Sequence, residues 1–214
     1  MDHTRHSALF DCSRFGVTLI GLGGIGAATA LCLAKMGIRN FSLYDPDIVS
    51  AENMPTQLHL IKSHGVFKVH AVKDMLALFS DELVTVETWP ERITASDGLM
   101  DNMIISAVDS IAARKDIWEA VKRGKCLYYL EARMGAEQFQ LNIVYHGDQK
   151  WYEDALNQDD DAFVPELPCT AKATMFTGFI SAGIIGATVR KIASGEELPR
   201  KLVFDIFNNT LLEI

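Results

Sequence analysis

Apolar and polar positions follow two alternating patterns along the chain. Short runs rich in valine, isoleucine, phenylalanine and tyrosine predict strands at Val17–Ile20, Phe41–Tyr44, Val84–Trp89, Met103–Val108, Cys126–Leu130 and Phe139–Tyr145. Apolar residues at helical spacing lie between most of these runs and predict helices at Ile25–Met36, Val66–Phe79 and Ile111–Arg123. Such alternation, with strands that are apolar almost throughout, is typical of a parallel sheet covered on both faces. The predicted fold class is therefore α/β, with a doubly wound, mostly parallel sheet.

The pattern changes towards the end of the chain. The strands predicted at Cys126–Leu130 and Phe139–Tyr145 have no helix between them, so we expect added antiparallel strands at the C-terminal side of the sheet. The polar stretch Asp148–Leu167 predicts a loop or a partly helical crossover. A long apolar helix follows from about Ala171 to Ala193, and a strand hairpin is predicted within Lys201–Ile214. No repeat or linker interrupts the chain, so residues 1–214 are predicted to form one domain.

Composition and charge narrow the class of protein. The 214 residues are 49% hydrophobic and 22% charged, which is typical of a folded globular protein. The formal net charge of −8 argues against nucleic acid as a partner, because duplex binding depends on lysine and arginine. The four cysteines include no Cys-x-x-Cys pair, which argues against a zinc ribbon or a disulfide framework.

Two further features favour a cytoplasmic protein with no membrane association. The N-terminal residues 1–12 lack the basic and apolar regions of a signal peptide. The most apolar stretch, Ala173–Val189, contains threonine, serine and glycine, and its interpretation is a buried core helix rather than a membrane span.

A glycine-rich turn is the most informative motif. Gly21, Gly23, Gly24 and Gly26 separate the first strand from the first helix, where glycine lets the backbone approach a phosphate and the helix N-terminus offers N–H groups. Asp45 ends the next strand, 19 residues beyond Gly26, where a carboxylate can accept hydrogen bonds from ribose. These residues predict a Rossmann-like nucleotide binder. Their spacing also fits a dinucleotide site.

More polar side chains follow at the predicted carboxyl edge of the sheet. The loop after Asp45 carries Asp47, Asn53 and Gln57. Lys68 lies eleven residues beyond Gln57, early in the next predicted helix. The fourth strand is followed by Asp109-Ser110, and Arg114 comes one turn into the next helix.

These motifs resemble the ThiF/MoeB/HesA family of adenylyltransferases, which are related to ubiquitin-activating enzymes. That family has the ordered motifs G-x-G-G-x-G, D-x-D-x-V-x-x-S-N-L-x-R-Q, a lysine, and D-N-x-x-x-R. The resemblance extends from about Arg14 to the C-terminus. It implies a ThiF-type adenylation domain that binds ATP and activates a carboxylate, usually at the C-terminus of a ubiquitin-like or sulfur-carrier-like protein or peptide. It also implies a homodimer.

The resemblance implies roles for the matched residues. The expected cofactor-binding residues are Gly21, Gly23, Gly24, Gly26, Asp45, Asp47, Asn53, Gln57, Lys68 and Ser110. Asp109 matches the carboxylate that holds Mg²⁺, and Lys68 matches the phosphate-binding lysine. Attack of a carboxylate on the α-phosphorus brings two anions together, so Mg²⁺ and Lys68 would stabilise the reacting charge. Two alternatives stay open from the residues alone: Lys68 as a solvated helix lysine, and Asp109 as a helix N-cap.

The chain departs from the family pattern in three places. Thr56 occupies the position of the loop arginine, which would grip phosphate in a bidentate manner. Arg133 is a candidate to compensate for it, although an exposed or ion-paired arginine is an equal alternative. The family's N-terminal arginine, which reaches into the partner subunit, has only Arg5 or Arg14 as candidates. The paired cysteines of the family's zinc site are absent.

Cys169 is the third catalytic candidate, with Asp109 and Lys68. It precedes a predicted helix start, which would lower the pKa of its thiol, and family members that transfer their cargo use a cysteine in this region. A buried packing cysteine is the alternative. Two other functions also remain open: an NAD(P)-dependent oxidoreductase that uses the same glycine turn, and a nucleotide-binding subunit that has lost catalysis.

Overall fold

An eight-stranded sheet organises the part of the chain that the structure describes. The structure is a computed structural model that describes residues 9–80, 84–99, 101–135, 137–145, 148–158 and 174–214. The strands are β1 (Gly16–Ile20), β2 (Asn40–Tyr44), β3 (Thr85–Trp89), β4 (Met103–Ser106), β5 (Tyr128–Gly135), β6 (Gln138–Tyr145), β7 (Lys201–Asp205) and β8 (Thr210–Glu213). The helices are α1 (Gly26–Lys35), α2 (Lys68–Phe79), α3 (Ile111–Arg123), α4 (Gln149–Gln158) and α5 (Met175–Ser194). Short 3-10 turns lie at Ala51–Asn53 and Ile61–Ser63.

The strand order is β3-β2-β1-β4-β5-β6-β7-β8. The first five strands are parallel, and β6, β7 and β8 are added in antiparallel pairs. This confirms the predicted α/β class with antiparallel strands at the C-terminal side. Because β2 and β4 flank β1, the chain reverses direction across the sheet at β1, and such a point opens a ligand crevice at the carboxyl ends of the strands.

Helices cover both faces of the sheet. Val17 and Leu19 of β1 join one buried cluster with apolar residues of α1, α2 and α5. Ile20 joins a second cluster on the opposite face, formed with residues of α3 and α4. Successive strand side chains point to opposite faces, so a strand that is apolar throughout contributes to both clusters. The doubly wound arrangement is confirmed.

Strand β5 differs from its prediction. The apolar pattern ends at Leu130, but the strand continues to Gly135 and pairs with β6 along its whole length. Glu131 and Arg133 lie in this extension, and these charged residues interrupt the apolar pattern from which the strand was predicted. The extension brings two charged side chains into the sheet near its carboxyl edge.

The polar stretch that begins at Asp148 contains helix α4, in agreement with the partly helical alternative. Tyr152 and Leu156 are buried and lie one turn apart, so they provide an apolar stripe that packs on the second cluster. Cys169 and the Asp159–Asp161 run lie outside the described residues.

Helix α5 packs tightly against the glycine-rich turn. A Cβ on Gly178, in the first turn of α5, would lie 2.5 Å from the backbone oxygen of Gly24. Gly183 of the same helix faces open space. The small residue at position 178 therefore serves the contact between α5 and the glycine turn.

Within the described residues, no helix has the length and apolar character needed to cross a bilayer.

Replacing Gly178 with alanine should destabilise the fold. The added methyl group would overpack the contact with Gly24, and such changes cost about 1–3 kcal/mol. The matched control is Gly183→Ala, which should raise the free energy of unfolding by up to about 1 kcal/mol because alanine favours the helix. Urea denaturation of both variants measures the difference, and equal stability of the two would contradict the close packing.

Candidate nucleotide-binding site

The glycine-rich turn connects the ends of three adjacent strands. Gly21 has a φ of +87° and donates its N–H to the carbonyl of Tyr44 at the end of β2, at 2.9 Å. A Cβ on Gly21 would lie 2.7 Å from the carbonyl oxygen of Ala107, just after β4. A Cβ on Gly26 would lie 1.9 Å from the carbonyl oxygen of Gly21. Both positions require glycine, and the turn holds the N-terminus of α1 beside the crevice.

Asp45 anchors this turn to β2. Its Oδ2 accepts a hydrogen bond from the N–H of Leu22 at 2.6 Å, and its Oδ1 accepts one from the N–H of Asp47 at 2.9 Å. Burial raises the pKa of the Asp45 carboxyl, while the charge of Lys68 and both backbone N–H groups oppose that rise. Each carboxylate oxygen has a further lone pair with which it can accept a hydrogen bond from a ribose hydroxyl.

Lys68 is buried beside the same loop. It is the first residue of α2, and its Nζ is 2.9 Å from Oδ2 of Asp47. The side chain of Lys68 is 9% exposed, whereas that of Asp47 is 61% exposed. The backbone N–H of Lys68 also donates to the carbonyl of Asp47. The alternative of a solvated helix lysine is therefore wrong, since the ammonium group is enclosed and paired with a carboxylate.

The loop between Asp47 and Lys68 holds the predicted amides in different environments. The Nε2 of Gln57 lies 3.7 Å from the position that a Cβ on Gly23 would take, and its Oε1 is buried without a hydrogen-bond partner. Asn53 uses its Oδ1 to accept the N–H of Ser50, within the loop. Thr56 directs its hydroxyl to the carbonyl of Asn53 at 3.5 Å. Gln57 is thus the amide in contact with the glycine turn.

Asp109 lies at the same edge of the sheet and is exposed. The N-cap of α3 is Ser110, whose Oγ accepts the N–H of Ala113 at 3.2 Å. The alternative of Asp109 as the N-cap is therefore wrong, and its carboxylate faces solvent. An exposed carboxylate is a suitable ligand for Mg²⁺, which takes oxygen ligands and keeps several waters. Buried Arg114 steadies this loop by donating to the carbonyl of Val108 at 2.7 Å.

These contacts bring most of the predicted residues to one edge. Backbone and side-chain contacts link the glycine turn to Asp45, Asp47 and Lys68, and the packing of Gly21 on Ala107 links it to the loop that carries Asp109. Asn53 and Ser110 lie in this region but use their side-chain oxygens to cap local backbone.

His59 also belongs to this region, although no role is predicted for it from the sequence. Burial and the charge of Lys68 lower the pKa of His59 to about 4, so the ring is neutral near pH 7. The six histidines are scattered along the sequence without metal-ligand spacing, so spacing alone predicts no role for any of them. The available signal was the position of His59 beside Gln57, in the loop that leads to Lys68.

Other predicted candidates lie elsewhere or have other partners. Arg14 donates to the carbonyl of Ala193 at the end of α5. Arg5 and Cys169 lie outside the described residues.

Two other cysteines are suited to packing rather than to reaction. Burial raises the pKa of Cys12 to about 11 and that of Cys126 to about 12, so both thiols stay protonated.

A match to one protein-family model along nearly the whole chain decides the family. The ThiF family model matches residues 4–214. The chain belongs to the ThiF family. It is 24% identical over 218 residues to ubiquitin-like modifier-activating enzyme 5 of Drosophila persimilis, with 90% of this chain and 56% of that protein covered. It is 28% identical over 113 residues to molybdopterin-synthase adenylyltransferase of Escherichia coli K12, with 47% and 42% covered. The chain spans about half the length of the Drosophila relatives that it matches.

Solved structures show the same fold as this ThiF family chain. PaaA has a TM-score of 0.72 at 22% identity, with 99% of this chain and 75% of PaaA covered. E. coli MccB with ATP has a TM-score of 0.73 at 15% identity, with 94% and 64% covered. At these identities the likeness concerns the fold.

The buried ring of His59 should make the protein sensitive to acid. A free histidine has a pKa of about 6.5, so unfolding takes up a proton once the pH falls below that value, and stability is lost towards pH 4. Relative to His59→Gln, the wild type should lose about 1–2 kcal/mol between pH 6.5 and pH 4.5, allowing for solvent screening. Urea denaturation at several pH values measures this loss.

The control for this experiment is His64→Gln, which replaces an exposed histidine and should keep the wild-type sensitivity to acid. NMR titration gives a direct check, since a His59 ring that titrates near pH 6.5 would contradict the assignment.

Proposed function

We propose that this chain is a Mg²⁺-dependent adenylyltransferase that uses ATP to activate a carboxylate. The observation that carries the proposal is the set of contacts joining the glycine turn, Asp45, Asp47 and Lys68 at one edge of the sheet. An enclosed lysine and a helix N-terminus without a side-chain cap, both at this edge of the sheet, suit a triphosphate, because both are sources of positive charge. Family membership favours adenylation over hydride transfer.

In this proposal each residue has a role that follows from its position. Asp45 holds the ribose, and the glycine turn and Lys68 hold the phosphates. Asp109 holds Mg²⁺, which would neutralise charge on the phosphate oxygens. An oxygen of the substrate carboxylate forms a bond to the α-phosphorus, the bond to the bridging oxygen breaks, and pyrophosphate leaves. Lys68 stabilises the charge that develops on that leaving group.

The substrate in this proposal is the C-terminus of a ubiquitin-like or sulfur-carrier-like protein or of a peptide. The names of the relatives support it, because they activate ubiquitin-like modifiers or adenylate molybdopterin synthase. We further propose that residues 1–214 form one adenylation domain that acts as a cytoplasmic homodimer. Onward transfer of the activated carboxylate to Cys169 stays a prediction.

Nucleotide binding provides the first test. Titration calorimetry with ATP and Mg²⁺ should give a saturable signal, and NAD(H) should not compete with it. Exchange of labelled pyrophosphate into ATP should then require a carboxylate, with a small β-grasp protein ending in Gly-Gly and matching peptides as the probes. Preferential binding of NAD(H) would overturn the proposal. Binding of ATP without exchange for a cognate partner would instead indicate a subunit that has lost catalysis, an outcome that Thr56 makes a specific alternative.

Asp109→Asn should separate catalysis from folding. The side chain is exposed, so the variant should keep the wild-type thermal transition. Loss of the Mg²⁺ ligand should lower pyrophosphate exchange by about 100-fold or more. Asp116→Asn is the matched control, because it removes an exposed carboxylate from α3, the helix that follows Asp109, and should leave exchange unchanged. Wild-type exchange by Asp109→Asn would show that another group holds the metal.

A further inference from the structure

A buried carboxylate on β5 holds the arginine that contacts the loop of Asp109. The Oε1 of Glu131 is 2.8 Å from the Nε of Arg114. Arg114 donates from its Nη2 to the carbonyl of Val108 at 2.7 Å, and Val108 directly precedes Asp109. A single guanidinium group therefore connects Glu131 to this loop.

Both members of this ion pair are enclosed by the protein. The side chain of Arg114 is 9% exposed, and that of Glu131 is fully buried. Taking two charges out of water is costly, and a well-packed apolar pair in the same place is often as stable. Stability alone therefore gives little reason for the pair, whereas the planar guanidinium has a fixed geometry that suits the orientation of a neighbouring group.

Glu131 is itself fixed within the sheet. Asn142, its partner in the register of β5 and β6, donates to Oε2 at 2.6 Å. The Nε of Arg133 is 2.8 Å from Oε1. Strand β5 pairs with β4 on one side and with β6 on the other. The carboxylate is thus held by an interior strand of the sheet, and it fixes the plane of the Arg114 guanidinium.

The contact with Val108 acts on the peptide unit that leads into Asp109. The carbonyl of Val108 and the N–H of Asp109 belong to one planar peptide group, so fixing the carbonyl also fixes the backbone nitrogen of Asp109. The loop is also held at both ends. Ala107 donates its N–H to the carbonyl of Ile20 at 2.8 Å, and Ser110 caps α3.

We propose that Glu131 is a positioning residue, which acts through Arg114 to orient the carboxylate of Asp109 for Mg²⁺ and ATP. This inference rests on the proposed function and deepens it. Neither Glu131 nor Arg114 contacts the nucleotide in this arrangement. Their effect passes through the backbone of the loop, so it depends on the side chain at position 109.

The first test is the binding of fluorescent mant-labelled ATP at increasing concentrations of Mg²⁺. Loss of a group that orients a metal ligand typically costs about 10-fold to 100-fold in metal affinity. Glu131→Gln should therefore raise the Mg²⁺ concentration for half-maximal binding by about tenfold or more. Binding of mant-labelled adenosine should be unchanged, because it has no phosphate to share the metal.

Arg114→Lys is the second variant and should give the same shift. Lysine keeps a cation beside Glu131, so the variant should fold like the wild type. Its ammonium group lacks the planar fork of arginine, so it cannot hold the carboxylate and the carbonyl of Val108 in the same geometry.

A double-mutant cycle with Asp109→Asn separates positioning from general damage to the fold. Glu131→Gln should lower pyrophosphate exchange by about tenfold or more in the otherwise wild-type chain. Added to Asp109→Asn, it should cause no further loss, because the group that it positions is already gone. A residue that serves only the stability of the fold would cause the same loss in both backgrounds.

Glu196→Gln is the control for the loss of a carboxylate that pairs with an arginine. Glu196 pairs with Arg190 at the end of α5, and the variant should keep the wild-type dependence on Mg²⁺. If both Glu131→Gln and Arg114→Lys keep that dependence, or lose equally in both backgrounds, the inference is wrong while the proposed function stands. It is also wrong if neither variant folds, since the pair then serves the fold itself. A wild type that binds no mant-ATP overturns the proposed function.

Discussion

The hydrogen bond from the Leu22 N–H to the Asp45 carboxylate joins the two strand ends on which the site depends. It is 2.6 Å long and buried, and it holds the glycine turn after β1 against the end of β2. The opposite side of the turn packs on the carbonyl of Ala107, which leads to the loop of Asp109. Because the turn is confined from both sides, a side chain at Gly21 would separate β1 from β4 and move the loop of Asp109 away from the glycine turn.

Asp45 also connects the turn to Lys68. Its second oxygen holds the N–H of Asp47, and Asp47 pairs with the buried ammonium group. In the proposed function the ribose site and the phosphate site thus share one carboxylate and its neighbour, so a nucleotide that lacks either part would engage only half of the network. Burial raises the pKa of Asp45, which shows that the fold accepts an electrostatic cost to keep the carboxylate in this position.

Much of this arrangement follows from patterns that the sequence displays openly. Apolar strands and glycines at a turn are local signals, and they predicted the parallel sheet, the glycine turn and the edge of the sheet at which Asp45 and Asp109 both lie. The charged part of β5 was missed because Glu131 and Arg133 break the apolar pattern, and the partners of Glu131 on α3 and β6 are distant in sequence. His59 was missed for the same physical reason, since its burial depends on tertiary contacts that no spacing along the chain reveals.

A guanidinium on a strand differs from one on a loop in how it is oriented. Thr56 belongs to a loop whose side-chain hydrogen bonds are local, so a side chain there is oriented only by its neighbours in the chain. Arg133 lies in a strand that pairs with β6 at this position, and Glu131 holds its Nε. Preorganised charge gains more from each contact because it reorganises less. The contacts with Arg114, Arg133 and Asn142 therefore account for a fully buried Glu131 that serves no apolar core.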